Sequence, residues 1–477
     1  MTAVGSGGRP AVRRLFARLV PAGAPPGPVD LLLALLAAVA AAVVSLTRQP
    51  GSALHTPWAE DGRVFLSAAW REGASSLLDP YAGYLHLFPR TTALLAANLP
   101  VHDAAGVLAV AGVLPAALLA GTAVVAPAAF VRSTALRAVL GLFVVVLPFA
   151  GAEVAANVAN GHWFFMAAAA LTLAWRTTWR PAAWWTAGVL VLATLSDPLT
   201  GLLLPVALVR LLAGPAAGDR RRRWAPVVAP VAVLLAGLAV QAGPALGSFG
   251  ATAADRPTPA PADLFRELVR HVPAVVLVGE SSARAADNGT LVASVAAVVL
   301  AVVVVAVRRP ALVPAVLVGV VLAAVYWLTP NELRRVLQVR ADGLESFAAN
   351  SRYAVVPLVL LATVLLAALD ALVGGRGPAT RPATGPATDP ASGRASGGPG
   401  HGRVRTAATL GLALAAAAWV VHADVPDLGL GVTREPSWDS GVAAATRQCR
   451  ARPGGATDIP IAPARWTARI PCSRLLR

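Results

Sequence analysis

The sequence predicts an all-α fold: a polytopic bundle of about eleven transmembrane helices, with interfacial or re-entrant helices in its first outer loop. Three observations carry this. Of the 477 residues, 56% are hydrophobic and only 13% are charged, where a soluble domain has about a quarter charged. The mean hydropathy is +0.65, and the apolar residues come in long runs near the roughly 20 residues a helix needs to cross hydrocarbon. The 40 basic residues are all arginine, many of them in short turns between those runs, as orienting charges are in membrane proteins. A soluble enzyme, a fibrous chain and a disulfide scaffold are thereby excluded. The net charge of +16 does not point to nucleic acid, because a binder shows a basic face with interleaved aromatics. The expected partner of these segments is the lipid bilayer.

The elements follow in order. Residues 1–28 carry Arg9, Arg13, Arg14 and Arg18, which places them in the cytoplasm; they are too proline-rich to be a cleaved leader. Spans are expected at 29–47, 103–130, 160–175, 182–196, 198–213, 225–245, 289–307, 311–328, 353–374 and 404–421. Of the two shorter stretches, 84–100 and 134–150, only one can cross without breaking the charge pattern. Arg132 and Arg137 favour 134–150, leaving 84–100 as a partial helix. Arg176, Arg180, the run Arg220 to Arg223, Arg308, Arg309 and the stretch 375–405 then lie inside. The outer face receives 48–83, 152–162, 196–198, 246–288, 329–352 and 422–477. The expected organisation is a transmembrane module over 29–374 and a Gly-, Pro- and Ala-rich disordered linker over 375–403. A last span over 404–421 and a small extracytoplasmic tail over 422–477 complete it. The tail holds both cysteines, Cys449 and Cys472. An exported pair suits a disulfide, with two free thiols as the alternative.

Polar residues are costly in a membrane protein unless they face water or serve a function, so their clustering is informative. The first outer loop is the richest, with His55, Trp58, Glu60, Asp61, Arg63, Asp79, Tyr81, Tyr84, His86 and Arg90. Within it, the spacing of Val64, Phe65, Ala68 and Ala69 predicts an amphipathic helix over 59–78, lying on the outer membrane surface. Glu60 and Asp61 stand at its N-terminus, where capping explains one carboxylate but not the surrounding aromatics. A second cluster contains Glu153, Asn157, Asn160, His162 and Trp163, although Trp163 also fits a plain interface anchor and His162 a satisfied interfacial residue. Asp197, in a Ser-Asp-Pro turn, reads as a helix cap. The fourth cluster sets Arg334, Arg335, Arg340 and Arg352 on the outer side, against the positive-inside trend. Arg352 stands beside Tyr353 at membrane level. Binding an anionic headgroup is one reason to keep them there, and contact with ordinary lipid phosphates is another. There is no Walker A sequence, Rossmann glycine pattern, HExxH, Cys/His metal spacing or nucleophile elbow.

The opening of the chain, EDGRVFLSAAWREG followed by PYAGYLHLFPRTTALLAANLP and a Pro-containing apolar helix, resembles GT-C-type membrane glycosyltransferases over about the first 200 residues. The resemblance implies a donor sugar carried on a polyprenyl phosphate, an envelope glycan, lipid or protein as acceptor, and an acidic catalytic residue in the first outer loop. Here those positions are Asp61 and Glu60. Members often carry a further acidic residue in the second outer loop, where this chain offers Glu153, Asn160 and His162. That departure argues against a bound divalent metal, and no other cofactor is implied. The residue chemistry agrees with such a reaction. Arg352, with Arg335 or Arg340, suits a departing phosphate. Asp61 or Glu60 suits a general base for the acceptor hydroxyl, and direct displacement inverts the anomeric centre. Trp58, Arg63, Tyr81, Tyr84, His86, Arg90, Asn160, His162 and Tyr353 would line the substrates. The rival readings are a membrane transporter or lipid flippase, which should show internal repeats with broken helices, and a non-catalytic envelope assembly protein, which should tolerate loss of both carboxylates.

Overall fold

The computed structural model describes residues 8–48, 56–149, 154–215, 224–248, 260–334, 351–374, 399–425 and 436–476. His55, Glu153, Arg220 to Arg223, Arg335, Arg340 and most of the 375–403 stretch lie outside the described residues.

The described chain is an all-α bundle with one small β-hairpin. In order its helices are α1 Gly8–Leu19, α2 Pro28–Thr47, α3 Ser67–Glu72, α4 Leu87–Ala97, α5 Ala104–Val125, α6 Thr134–Val145, α7 Gly161–Ala174, α8 Pro181–Thr194, α9 Leu204–Ala213 and α10 Ala225–Ser248. There follow α11 Pro261–Val269, α12 Val275–Val278, α13 Glu280–Arg284, α14 Asn288–Arg308, α15 Val313–Arg334, α16 Val355–Val373, α17 Pro399–Asp424, α18 Trp438–Ala451 and α19 Cys472–Leu475. Among the described residues, 7 helical segments are long and apolar enough to cross a membrane: Pro28–Thr47, Val101–Ala129, Ala225–Pro244, Asn288–Arg308, Pro310–Asn331, Arg352–Val373 and Thr406–Asp424. Four of the expected spans appear instead as shorter apolar helices, Thr134–Val145, Gly161–Ala174, Pro181–Thr194 and Pro198–Ala213. A 12-residue helix such as α6 covers only about 18 Å, well short of the roughly 30 Å hydrocarbon core.

Polar contacts sort the helix ends into two groups. At one end, Asp30 receives Arg137 and the Thr134 hydroxyl, Arg309 pairs with Asp370 at 2.6 Å, and Arg13 and Arg176 donate to carbonyls of the 213–215 turn. These are the arginines of the expected inner turns, and their donors satisfy helix C-terminal carbonyls that have no partner within the helix. At the other end lie Arg48, Asp61, the 157–163 turn, Asp197 and the C-terminal tail. Helix α4 begins and finishes at this tail end. Leu87 N–H donates to the Leu195 carbonyl where it begins, and Trp438 Nε1 donates to the Val101 carbonyl just beyond its last turn.

The core is built on α7 and α16. Every residue of α7 from Gly161 to Leu173 is buried, and α16 is buried over 83% of its apolar window, against 17% for α2 and 6% for α17. A helix apolar on all sides finds partners all round only at the centre of a bundle. The run Ala167 to Ala170 lets α5, α8 and α16 approach α7 closely.

The tail is a folded unit. Helix α18 packs on an antiparallel hairpin, β1 Ala456–Ile461 and β2 Trp466–Pro471, whose register pairs Ile459 with Ala468. Alternation along β1 turns Thr457, Ile459 and Ile461 inward. A disulfide joins Cys449 in α18 to Cys472 in α19.

Candidate functional site

The loop between α2 and α4 is positioned from both sides. The expected surface helix over 59–78 is present but divided: a π-helical stretch at Asp61–Leu66, then α3, then a 3₁₀ stretch at Gly73–Leu78. Its apolar face is turned to protein. Phe65, Ala68 and Ala69 are buried against protein, and the tail covers the opposite face. Arg469 N–H donates to Ser67 Oγ at 2.8 Å, Trp70 stacks on Trp438, and Ala59 N–H donates to the Ala462 carbonyl at 2.5 Å. Gly62 packs closely under the tail, since a Cβ there would come within 2.6 Å of Ile461 Cδ1 and 3.2 Å of Pro57 Cβ. Periodicity showed which face was apolar but not that a unit more than 350 positions later covers the other.

Glu60 and Asp61 take different environments. Asp61 is 2% exposed, and its carboxylate accepts Val158 N–H at 3.1 Å and Ala159 N–H at 2.9 Å. It thus caps the turn that leads into α7, in another segment of the chain. Glu60 is half-buried and makes no side-chain cap bond to its own helix. It opens instead onto a small cleft at the tail end of the bundle, lined by Glu60, Phe65, Tyr81, Ala82, Tyr84, His86, Ala159, Asn160, His162, Trp163 and Arg352. Ala59, Ala82 and Ala156 adopt positive φ of 40°, 51° and 50° around it. Such strain persists only where surrounding contacts impose it, and both it and π-helical turns recur at functional sites.

The cleft is rich in rings. Tyr84 stacks on His86 at 4.2 Å, Phe65 meets Tyr81 edge-on, and Trp163 meets Tyr353 edge-on at 5.1 Å. His162 Nδ1 lies 2.8 Å from the Ala159 carbonyl, which can only accept, so that nitrogen carries a proton. Its Nε2 stands 3.3 Å from Asp197 Oδ2, at ion-pair distance though outside hydrogen-bond alignment. Asp197 also accepts Leu199 N–H at 2.7 Å, so the expected cap is formed and the same carboxylate faces His162. Behind Phe65, Arg90 holds its guanidinium 5.5 Å from that ring and 3.8 Å from Asp79. Burial draws the Arg90 guanidinium below its ordinary range, partly offset by Asp79 and Glu72. Glu72 and Asp79 share a hydrogen bond that pushes Asp79 up and Glu72 down.

Of the residues expected from sequence, Glu60, Tyr81, Tyr84, His86, Asn160, His162 and Arg352 meet in one cleft. Asp61, Arg90 and Tyr353 stand behind its walls. Trp58 is drawn into a bridge with Ala462, and the exposed Arg63 lies over Trp466 of the tail. Phe65 and Trp163 were not expected as lining residues. Phe65 looked like the apolar face of a helix, and Trp163 like an interface anchor. Among the described residues, no group of three or more His, Cys, Asp or Glu side chains is arranged to hold a metal ion. Comparison with known proteins finds no family model, no curated protein and no solved structure that matches the chain.

Proposed function

We propose that this chain is an integral membrane glycosyltransferase of the GT-C type, working at the outer face of the cell membrane on a polyprenyl-phosphate-linked sugar. What supports the reading is one observation: Glu60 of the first outer loop and Arg352 of the last one before α16 line the same aromatic cleft. Glu60 is the general base that takes the proton of the acceptor hydroxyl as its oxygen attacks the anomeric carbon. The bond from that carbon to the phosphate oxygen breaks on the opposite side, and Arg352 stabilises the departing phosphate. A single displacement inverts the anomeric centre. Tyr81, Tyr84, His86 and Trp163 supply the ring faces and polar edges on which a sugar packs. Asp61 is a positioning residue, since its carboxylate is committed to the 158–159 backbone. The acceptor is an envelope glycan, lipid or protein.

The test is transfer from a polyprenyl-phosphate sugar by Glu60→Gln and Arg352→Gln protein in lipid nanodiscs. Loss of a positioned base slows proton transfer by about 10²- to 10⁴-fold, and loss of the cation by about 10²- to 10³-fold. Undiminished transfer by both variants would overturn the assignment.

A further inference from the structure

At the arginine-bearing end of the bundle, Arg13 and Arg176 converge on the turn after α9. Arg13 Nε donates to the Ala213 carbonyl at 3.0 Å, and Arg176 Nε donates to that of Gly214 at 3.1 Å. The Nη2 atoms of both donate to the Pro215 carbonyl, at 3.3 and 3.2 Å. Arg210, in the last turn of α9, spends Nη1 on the Thr172, Leu173 and Trp175 carbonyls where α7 ends. Capping of helix ends accounts for these bonds, but the end of a helix carries only about half a charge. Among the described residues, no carboxylate pairs with any of the three arginines. Burial, and next the charge of Arg13, draw the Arg176 guanidinium below its ordinary range. Arg14 and Arg18, exposed on α1, add charge of the same sign. Arg13 is itself exposed, and its bonds to the turn leave N–H groups for another acceptor.

An apolar slot begins at the same place, bounded by α7, α9, α15, α16 and the residues that end α1. Val20 lines it, and the Val20 carbonyl accepts Arg176 Nη1–H at 2.9 Å. Ala174, just before Trp175 and Arg176, lines it too. Further along, its walls are Val206, Val318, Leu322 and Leu360. The one polar side chain in the lining, Thr363, spends its hydroxyl on the Val359 carbonyl. On the flanking helices, Leu208 of α9 and Val321 of α15 are 54% and 59% exposed, so the slot adjoins a face suited to hydrocarbon.

We propose that this is a binding site for an anionic phospholipid of the adjoining leaflet, its phosphate on Arg13 and Arg176 and one acyl chain in the slot. Guanidinium groups at the mouth match a phosphate, and a lining with no unspent polar side chain matches a hydrocarbon tail. A soluble anion would use only the first feature and a neutral lipid only the second. The site lies at the opposite end of the bundle from the Glu60 cleft and does not rest on the transferase reading.

The experiment counts lipid retained by the full-length protein in native mass spectra, after equilibration in detergent with equimolar dioleoyl phosphatidylglycerol and dioleoyl phosphatidylcholine. The wild type should retain phosphatidylglycerol at least about tenfold over phosphatidylcholine. Arg13→Gln should lower phosphatidylglycerol retention about fivefold, the worth of one cation against an anionic headgroup. Arg180→Gln removes the same charge from an exposed position outside the cluster and should change it by less than about twofold. Val318→Trp fills the slot from a half-buried position and should lower retention at least about fivefold with the surface charge unchanged. Leu322→Trp, also half-buried, takes its place if that variant does not fold. Glycerol 3-phosphate in excess should not displace the lipid. Equal retention of the two lipids by the wild type overturns the proposal, as does wild-type retention of phosphatidylglycerol in Arg13→Gln or in the folded slot variant. Equal losses in Arg180→Gln and Arg13→Gln would reduce the cluster to general surface charge, and displacement by glycerol 3-phosphate would identify a soluble anion; either overturns it as well.

Discussion

The carboxylate of Asp61 holds the backbone of Ala159: Oδ1 accepts its N–H at 2.9 Å while Oδ2 accepts that of Val158 at 3.1 Å. Through this pair of bonds the loop between α2 and α4 fixes the turn that begins α7. Close packing reinforces it, since a Cβ on Gly112 of α5 would stand 2.5 Å from the Ala156 carbonyl carbon.

Asp61→Asn should therefore act on stability first. The amide keeps one accepting oxygen and sets its NH₂ against the second backbone donor, leaving a buried N–H unmet at a cost of about 1–3 kcal/mol. Thermal unfolding in detergent should show a lower midpoint for Asp61→Asn and an unchanged one for Glu60→Gln. Equal midpoints in the two variants would contradict the separate environments of these neighbours.

The tail should be required for the geometry of Glu60. Ala462 accepts from Ala59 N–H and donates to the Pro57 carbonyl, immediately before Glu60. Replacing Cys449 and Cys472 together by alanine removes a cross-link between residues 23 positions apart, worth roughly 3 kcal/mol by loop-closure entropy. We expect unfolding of α18 and the hairpin at lower temperature, and a fall in transfer rate over the same range. Activity that survives loss of the tail's structure would show that the first loop holds its shape alone.

Glu267 should subtract from stability as pH rises. Burial pushes its carboxyl up, incompletely offset by Arg270 and Arg266. A carboxyl raised in the folded state contributes its full stabilisation below the unfolded value of about 4.3 and loses it as pH climbs through the folded value. Glu267→Gln should remove this contribution, so that its unfolding midpoint falls less than that of the wild type as pH rises above about 4.3. Identical slopes in the two proteins would rule out this source.

Orientation is testable without a reporter fusion, because both native cysteines are joined in the disulfide. A membrane-impermeant maleimide applied to intact cells should label Asp439→Cys, whose side chain is 65% exposed in the tail. It should leave Arg180→Cys, in the exposed turn before α8, unlabelled until the cells are broken. The reverse pattern would put the cleft in the cytosol.

Much of the fold was legible in the sequence. Apolar runs gave helices near the expected positions. The cleft was legible only in part. His86, His162 and Arg352 looked polar at an apolar boundary, but Trp163 carried no signal beyond that of an anchor. Its place on the cleft wall exists only once its neighbours are in place.

By itself the sequence determined an all-α apolar bundle, the arginine-bearing turns gathered at one end and a polar first loop, because composition and period act locally along the chain. Only the tertiary structure decided which of two adjacent carboxylates enters the cleft. Neighbouring residues on a helical turn point about 100° apart, and the π-helical stretch from Asp61 to Leu66 alters that phase. The meeting of Glu60 with Arg352, and the tail folded over the first loop, depend on packing between segments far apart in the chain, which no local pattern encodes.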